Sequence, residues 1–342
     1  MRRNLAIKRD GKIRALVLCS PCEVSVAGNT LKMAGIGNVS THKREGGQGL
    51  MKQLMHQAIA EMQEDGIDFS GLGGQRQRYQ YYGYDRCGMK YAYSLTARNL
   101  KHINYPVPDW HFEPITAESD VWLATAKALY EQQPLHCSRG DGTLDAVYRY
   151  LTCWNIVPYA CLDAEGKMVG YICVTADGTS CSELIADTPA HTVDMLVAWT
   201  ALKGVSQISL GIHPWQTEIC RRLDLICDNI SLHPDHQYRI FNWDRVVKAF
   251  MDLKATYVSL MDGELVLEIA EWGRLAIAVK DGRASCEKTE RAADLSLTAF
   301  EANRLVFGPK PAYYTADLPA EKNAMITNWF PLPLSWWHQD CV

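Results

Sequence analysis

Two hairpins of nearly the same spelling set the strongest constraint on how this chain can fold. Leu5-Ala-Ile-Lys-Arg-Asp-Gly-Lys-Ile-Arg-Ala-Leu-Val-Leu-Cys19 and Tyr159-Ala-Cys-Leu-Asp-Ala-Glu-Gly-Lys-Met-Val-Gly-Tyr-Ile-Cys173 each set an Asp/Glu-Gly-Lys turn between two β-forming runs. After the first come strand patterns at Glu23 to Val26 and Leu31 to Val39. From Gly49, Leu50, Leu54, Ala58, Ile59 and Met62 recur at helical spacing, and a strand follows at Ile67 to Leu72. After the second hairpin come a strand at Ser182 to Ile185, a helix from Pro189 to Leu202 capped by Thr188, and a strand at Gln207 to Ile212. An order this long, present twice, points to internal duplication. Strand and helix signals alternate through both stretches, so the fold class is α/β (α+β).

The remaining patterns complete the organisation. A short helix around Arg76 to Tyr82 and a strand at Tyr91 to Thr96 lead into a segment with Pro106, Pro108 and Pro114, read as a linker. Beyond Tyr238-Arg-Ile-Phe241, a third part offers a helix at Arg245 to Met251, three alternating strands (Val266 to Glu271, Leu275 to Val279, Ala284 to Glu287) and a helix at Leu297 to Phe307. Three domains are expected, over 1–105, 106–242 and 243–342, and a chain of 342 residues is long enough to give each a core. The end, Trp329-Phe-Pro-Leu-Pro-Leu-Ser-Trp-Trp-His-Gln-Asp-Cys-Val342, is too aromatic for a disordered tail and should be docked.

Charge and cysteine usage narrow the function classes. The 35 Lys+Arg against 39 Asp+Glu, with no long run of either sign, argue against nucleic acid as a partner. Met1-Arg2-Arg3 leads through Asn4 to Ile7 into polar Lys8 to Lys12, so no signal core forms, and no run reaches the length of a membrane span. A cytoplasmic protein is expected. Among 12 cysteines, Cys19-Ser-Pro-Cys22 has CxxC spacing, but Cys87, His213 and His233 stand alone and complete no zinc set. Buried reduced thiols and no metal are the expectation.

The chemistry concentrates in Gly35-Ile-Gly-Asn-Val-Ser-Thr-His-Lys-Arg-Glu-Gly-Gly-Gln-Gly-Leu50, a strand running into a glycine turn that opens a helix. Glycines let backbone N–H groups converge, and the helix start adds the positive end of its dipole, which suits a phosphate. No Walker A string occurs, and Gly-x-Gly-x-x-Gly started at Gly35 fails at Ser40. Arg-x-x-Gly-x-Gly does fit, as Arg44-Glu45-Gly46-Gly47-Gln48-Gly49. It resembles the acetyl-coenzyme A pyrophosphate motif of the GCN5-related N-acetyltransferases (GNAT).

Tyr79, Gly83 and Tyr84 then match that family's Tyr-x-x-x-Gly-aromatic signature. With the duplication, the third part and the aromatic end, nearly the whole chain resembles the Eis (enhanced intracellular survival) acetyltransferases. The resemblance implies two tandem GNAT-type domains, the second without a cofactor site, followed by a small sterol-carrier-protein-like domain. It also implies acetyl-CoA as co-substrate, a small-molecule or peptide amine as acceptor, direct attack of the amine, and a homo-hexamer.

Carried over by position, Asn38 and Val39 would meet the acetyl and pantetheine portions, and Arg44, Glu45, Gly46, Gly47, Gln48, Gly49 and Leu50 would hold the pyrophosphate. Tyr79 would be the general acid for the departing thiolate, and the terminal carboxylate of Val342 the base. The family begins with a strand and two helices ahead of the Leu5 hairpin, so a shortened first domain is expected. Thr41 and Glu45-Gly46 stand where the family has proline and a basic cluster, which would weaken the positive field at the turn. The alternative reading is a non-catalytic CoA- or apolar-ligand-binding protein with a degenerate first domain.

Overall fold

A computed structural model of the chain describes residues 3–341. In chain order the first elements are β1 (Arg3–Arg9), β2 (Lys12–Val26), β3 (Asn29–Thr41), α1 (Leu50–Glu64), β4 (Phe69–Leu72), α2 (Arg76–Tyr79) and β5 (Asp85–Cys87). Next come β6 (Lys90–Thr96), α3 (Ala97–His102), β7 (His111–Pro114), α4 (Asp120–Glu131), β8 (Leu135–Cys137), α5 (Leu144–Leu151), β9 (Val157–Leu162), β10 (Met168–Val174), β11 (Ser180–Ala186), α6 (Pro189–Leu202), β12 (Gln207–Ile212), α7 (Thr217–Leu223) and β13 (Asn229–His233). The last are β14 (His236–Ile240), α8 (Trp243–Ala255), β15 (Gly263–Ile269), β16 (Gly273–Lys280), β17 (Arg283–Lys288), β18 (Leu295–Leu297), α9 (Ala299–Phe307) and α10 (Asn323–Trp329).

Two compact units emerge, neither of them a continuous stretch of chain. Among the described residues, one gathers the chain up to Met89, 234–334 and Cys341, the other 90–233 and 335–340. In the first unit one mixed sheet runs β1-β2-β3-β4-β14-β5 and a second runs β17-β16-β15-β18. The other unit holds a sheet in the order β13-β6-β12-β11-β10-β9-β7.

The first hairpin closes where expected, with Asp10 at φ 52° and Gly11 at φ 70°, the left-handed pair that a tight two-residue turn requires. The patterns Ile13 to Cys19 and Glu23 to Val26 merge into the single strand β2, whose Pro21 lies opposite Ala34. β3 then pairs antiparallel with β2 and parallel with β4, and α1 makes the crossover. Leu50, Leu54, Met55, Ala58, Ile59 and Met62 of α1 pack on Ala15, Val17, Ile36 and Leu72 of the sheet.

The second unit repeats this order. β9 and β10 form the second hairpin, β11 is antiparallel to β10, and after α6 strand β12 runs parallel to β11. Thr188 caps α6 as expected, its side chain accepting from His191 N–H at 3.1 Å.

Two strands join sheets that local pattern does not assign them to. β6, which reads as the close of the first stretch, pairs with β12 and β13. β14, from just before the third stretch, inserts between β4 and β5. The aromatic end divides likewise. Trp329 and Phe330 are buried in the first unit, whereas Trp337 packs in the second with Leu123, Val147 and Tyr171. There Asp340 accepts from Tyr130 Oη at 2.6 Å and from Arg139 Nε at 2.8 Å.

No disulfide joins the described cysteines. Burial pushes the Cys19 thiol up to about 11 and the Cys161 and Cys286 thiols up to about 12. Among the described residues, no helix is long and apolar enough to cross a membrane.

Candidate active site

The site is built where β3 and β4 part. Their parallel pairing runs from Met33 opposite Phe69 to Ile36 opposite Leu72. β4 stops there, while β3 continues to Thr41, which leaves a wedge open at the strand ends. β3 is also bulged on its other edge. Leu18 pairs with Gly37 and Leu16 with Ser40, so Asn38 and Val39 together face Val17. Asn38 takes the extra turn at φ 49°, a left-handed conformation that asparagine tolerates better than most residues. The irregularity removes ladder partners beside the wedge, where backbone groups can then meet a ligand.

Beyond Thr41 the chain makes a single 3-10 turn, Lys43–Glu45, and enters the glycines. Gly47 stands at φ 80° and Gly49 at φ 74°, and Gly49 is the N-cap of α1. No side chain caps this helix and no acidic residue occupies its first turn, so the N–H groups of a 15-residue helix are left for a ligand. Gly46, Gly47, Gln48, Gly49 and Arg44 are exposed, and Leu50 is buried beneath them.

The expected loss of positive field at Glu45 is offset from the first hairpin. Arg9 Nη1 lies 2.8 Å from Glu45 Oε2, Arg14 Nε lies 3.7 Å from its Oε1, and Arg9 also donates to Gln48. Neither arginine announces this role in the sequence; only the pairing of β1 and β2 beside β3 brings them to the turn.

Tyr79 closes α2 on the far side of the wedge. Its ring packs over Gly74, where a Cβ would approach Tyr79 Cε2 to 3.0 Å, so the turn after β4 needs a glycine there. Arg76, at the start of α2, lies 3.0 Å from buried Asp85 and holds the helix down. Burial pushes the Tyr79 phenol up, against a smaller opposing effect of Arg78, so it is protonated and able to donate near neutral pH. Tyr82 is buried with it, and Tyr81 is exposed. Tyr84 serves the sheet instead, since its hydroxyl donates to Ser70 Oγ at 2.8 Å, and Ser70 donates to the Ala34 carbonyl at 2.6 Å. That relay ties β4 to β3 just before they diverge.

Val342, the expected base, lies outside the described residues. Its neighbour Cys341 has Sγ 3.3 Å from Nε2 of His236 on β14. Gln237 of β14 is opposite Leu72, so His236 lies one position further toward the end at which β3 and β4 part.

Residues 2–92 match the Acetyltransferase (GNAT) domain family. The chain carries a GNAT acetyltransferase domain and is by that domain an acyltransferase. No curated protein matches by sequence.

Solved structures share the fold across nearly all of this chain. A probable N-acyltransferase from Enterococcus faecalis V583 is 19% identical, with 97% of this chain and 88% of that one covered at a TM-score of 0.69. A GCN5-related N-acetyltransferase from Anabaena variabilis is 19% identical, with 97% and 88% covered at 0.68. Eis1 from Mycobacterium abscessus is 13% identical, with 97% and 89% covered at 0.66.

Proposed function

We propose that this chain transfers the acetyl group of acetyl-CoA to a primary amine by direct attack. The observation that carries the reading is the wedge between β3 and β4, bounded at one side by the uncapped start of α1 and at the other by a protonated, buried tyrosine. Acetyl-CoA would lie with its pyrophosphate on the Arg44 to Leu50 turn and its thioester beside Asn38 and Val39.

The amine attacks the carbonyl carbon, and the carboxylate of Val342, directly or through water, takes its proton. As the tetrahedral intermediate collapses, the carbon–sulfur bond breaks and Tyr79 gives its proton to the sulfur. The position of Cys341 beside His236 supports the terminal carboxylate in this role, because His236 lies toward the open end of the wedge.

The start of α6 argues for a second repeat without cofactor. Its N–H groups meet the Thr188 hydroxyl, Pro189 at the first turn has no N–H, and Asp187 stands beside His191. By descent the chain divides at about 105 and 242, in two GNAT-type segments and a sterol-carrier-like one. That partition of ancestry differs from the compact units, in which strands are exchanged. The same resemblance proposes a cytoplasmic hexamer.

The test is a free-thiol release assay with acetyl-CoA and a panel of aminoglycosides, polyamines and lysine peptides. Turnover that falls in Tyr79→Phe and on removal of Val342 supports the reading. No turnover above the Tyr79→Phe background overturns it and leaves the ligand-binding alternative.

A further inference from the structure

A second reactive group stands at the open end of the sheet. Cys341 Sγ is 3.3 Å from His236 Nε2, and on the other side of the ring the Asp235 carboxylate pairs with His236 by charge, Oδ2 lying 3.1 Å from Nδ1 without hydrogen-bond geometry. Asp235 is itself held, accepting from Tyr238 Oη at 2.6 Å, and its side chain is 1% exposed. A thiol, an imidazole on it, and a fixed carboxylate behind the imidazole are the parts of an activated cysteine nucleophile.

We propose that Cys341 is a nucleophilic thiol, activated by His236 and Asp235, that accepts an acyl group from a thioester and so makes the chain a self-acetylating protein. The choice of acetyl-CoA as donor rests on the function proposed above; the activation of the thiol does not.

Several observations bear on it. Burial opposes a charge on His236, but Asp235 and the Cys341 sulfur together lift its pKa to about 10, so the ring is an imidazolium at neutral pH and places a positive charge 3.3 Å from the sulfur. Burial pushes the thiols of Cys87, Cys173, Cys181 and Cys227 up. Cys341 is only partly buried. His236 also shares a sheet face with Tyr238 and Phe69, opposite to the face on which α1 packs, so the thiol does not compete for the pyrophosphate turn.

The step balances as a thioester exchange. The Cys341 thiol proton leaves to solvent as its sulfur attacks the acetyl carbonyl carbon; a new carbon–sulfur bond forms and the bond to the CoA sulfur breaks. The His236 imidazolium donates a proton to the departing CoA thiolate and regains one from solvent, leaving S-acetyl-Cys341 and CoA-SH.

Two arms test it on the full chain. In the first, the protein is incubated with acetyl-CoA and examined by peptide mass spectrometry. The expected result is one hydroxylamine-labile acetyl group on Cys341, absent in Cys341→Ser and reduced about tenfold in His236→Gln. CoA affinity is measured in parallel by isothermal titration. CoA binding without the adduct overturns self-acetylation, whereas failure to bind CoA overturns the acetyl-CoA reading. In the second arm iodoacetamide, which needs no cofactor, is used. Alkylation of Cys341 faster than of Cys22, and slowed about tenfold in His236→Gln, supports the activated thiol; equal rates overturn it.

Discussion

Arg9 Nη1 lies 2.8 Å from Glu45 Oε2, so the carboxylate ahead of the glycine turn is neutralised by the strand that opens the chain. Arg9→Ala should leave that negative charge facing the phosphates and raise the Kd for CoA about two- to fivefold, the range of a partly exposed pair. Adding Glu45→Gln to Arg9→Ala should restore affinity. Isothermal titration at two salt concentrations reads both effects, and an unchanged Kd in Arg9→Ala would show that Glu45 does not sense the ligand.

Gly49 is left-handed at φ 74°, and a Cβ there would meet nothing within 4 Å, so its need for glycine comes from backbone alone. Gly49→Ala should cost about 1 kcal/mol of stability and weaken CoA binding, since the strained cap shifts the first helical N–H groups. Gly47→Glu, which adds a negative charge at φ 80°, should weaken CoA about tenfold or more. Denaturant melts and titration separate the two quantities.

Tyr79→Phe keeps the ring against Gly74 and removes only the proton donor. We expect kcat to fall about a hundredfold with KM little changed, and a melting temperature close to that of the parent. Tyr84→Phe should do the reverse, costing about 1 kcal/mol of stability for the lost bond to Ser70 while leaving most of the turnover.

Lys254 supplies a pH signature. Its ammonium donates to the carbonyls of Trp329 at 2.9 Å and Pro331 at 3.1 Å, and burial pulls its pKa down to about 8. A lysine whose pKa is lower folded than unfolded binds fewer protons in the native state. Its charged form therefore penalises folding below about 8, and stability should rise as pH climbs from about 8 toward the unfolded value near 10.4. In Lys254→Met that rise should vanish. Chemical denaturation across this window, read as parent minus variant, checks the sign.

What the sequence determined by itself is what neighbours along the chain decide. The Asp10-Gly11 hairpin, the buried stripe of α1, the Thr188 cap and the glycine turn ahead of Leu50 follow from φ preferences, side-chain period and capping, all of which act over a few residues. The short helix that ends at Tyr79 and the left-handed Gly83 after it are local features of the same kind.

The tertiary structure alone decided which sheet each strand joins. β6 and β14 carry ordinary strand patterns, and such a pattern is equally content in either sheet; pairing partners and buried faces, separated widely in sequence, select one. The neutralisation of Glu45 by Arg9 and the meeting of Cys341 with His236 are of the same kind. Each is a contact between residues far apart in the chain, fixed by strand register and by no local preference.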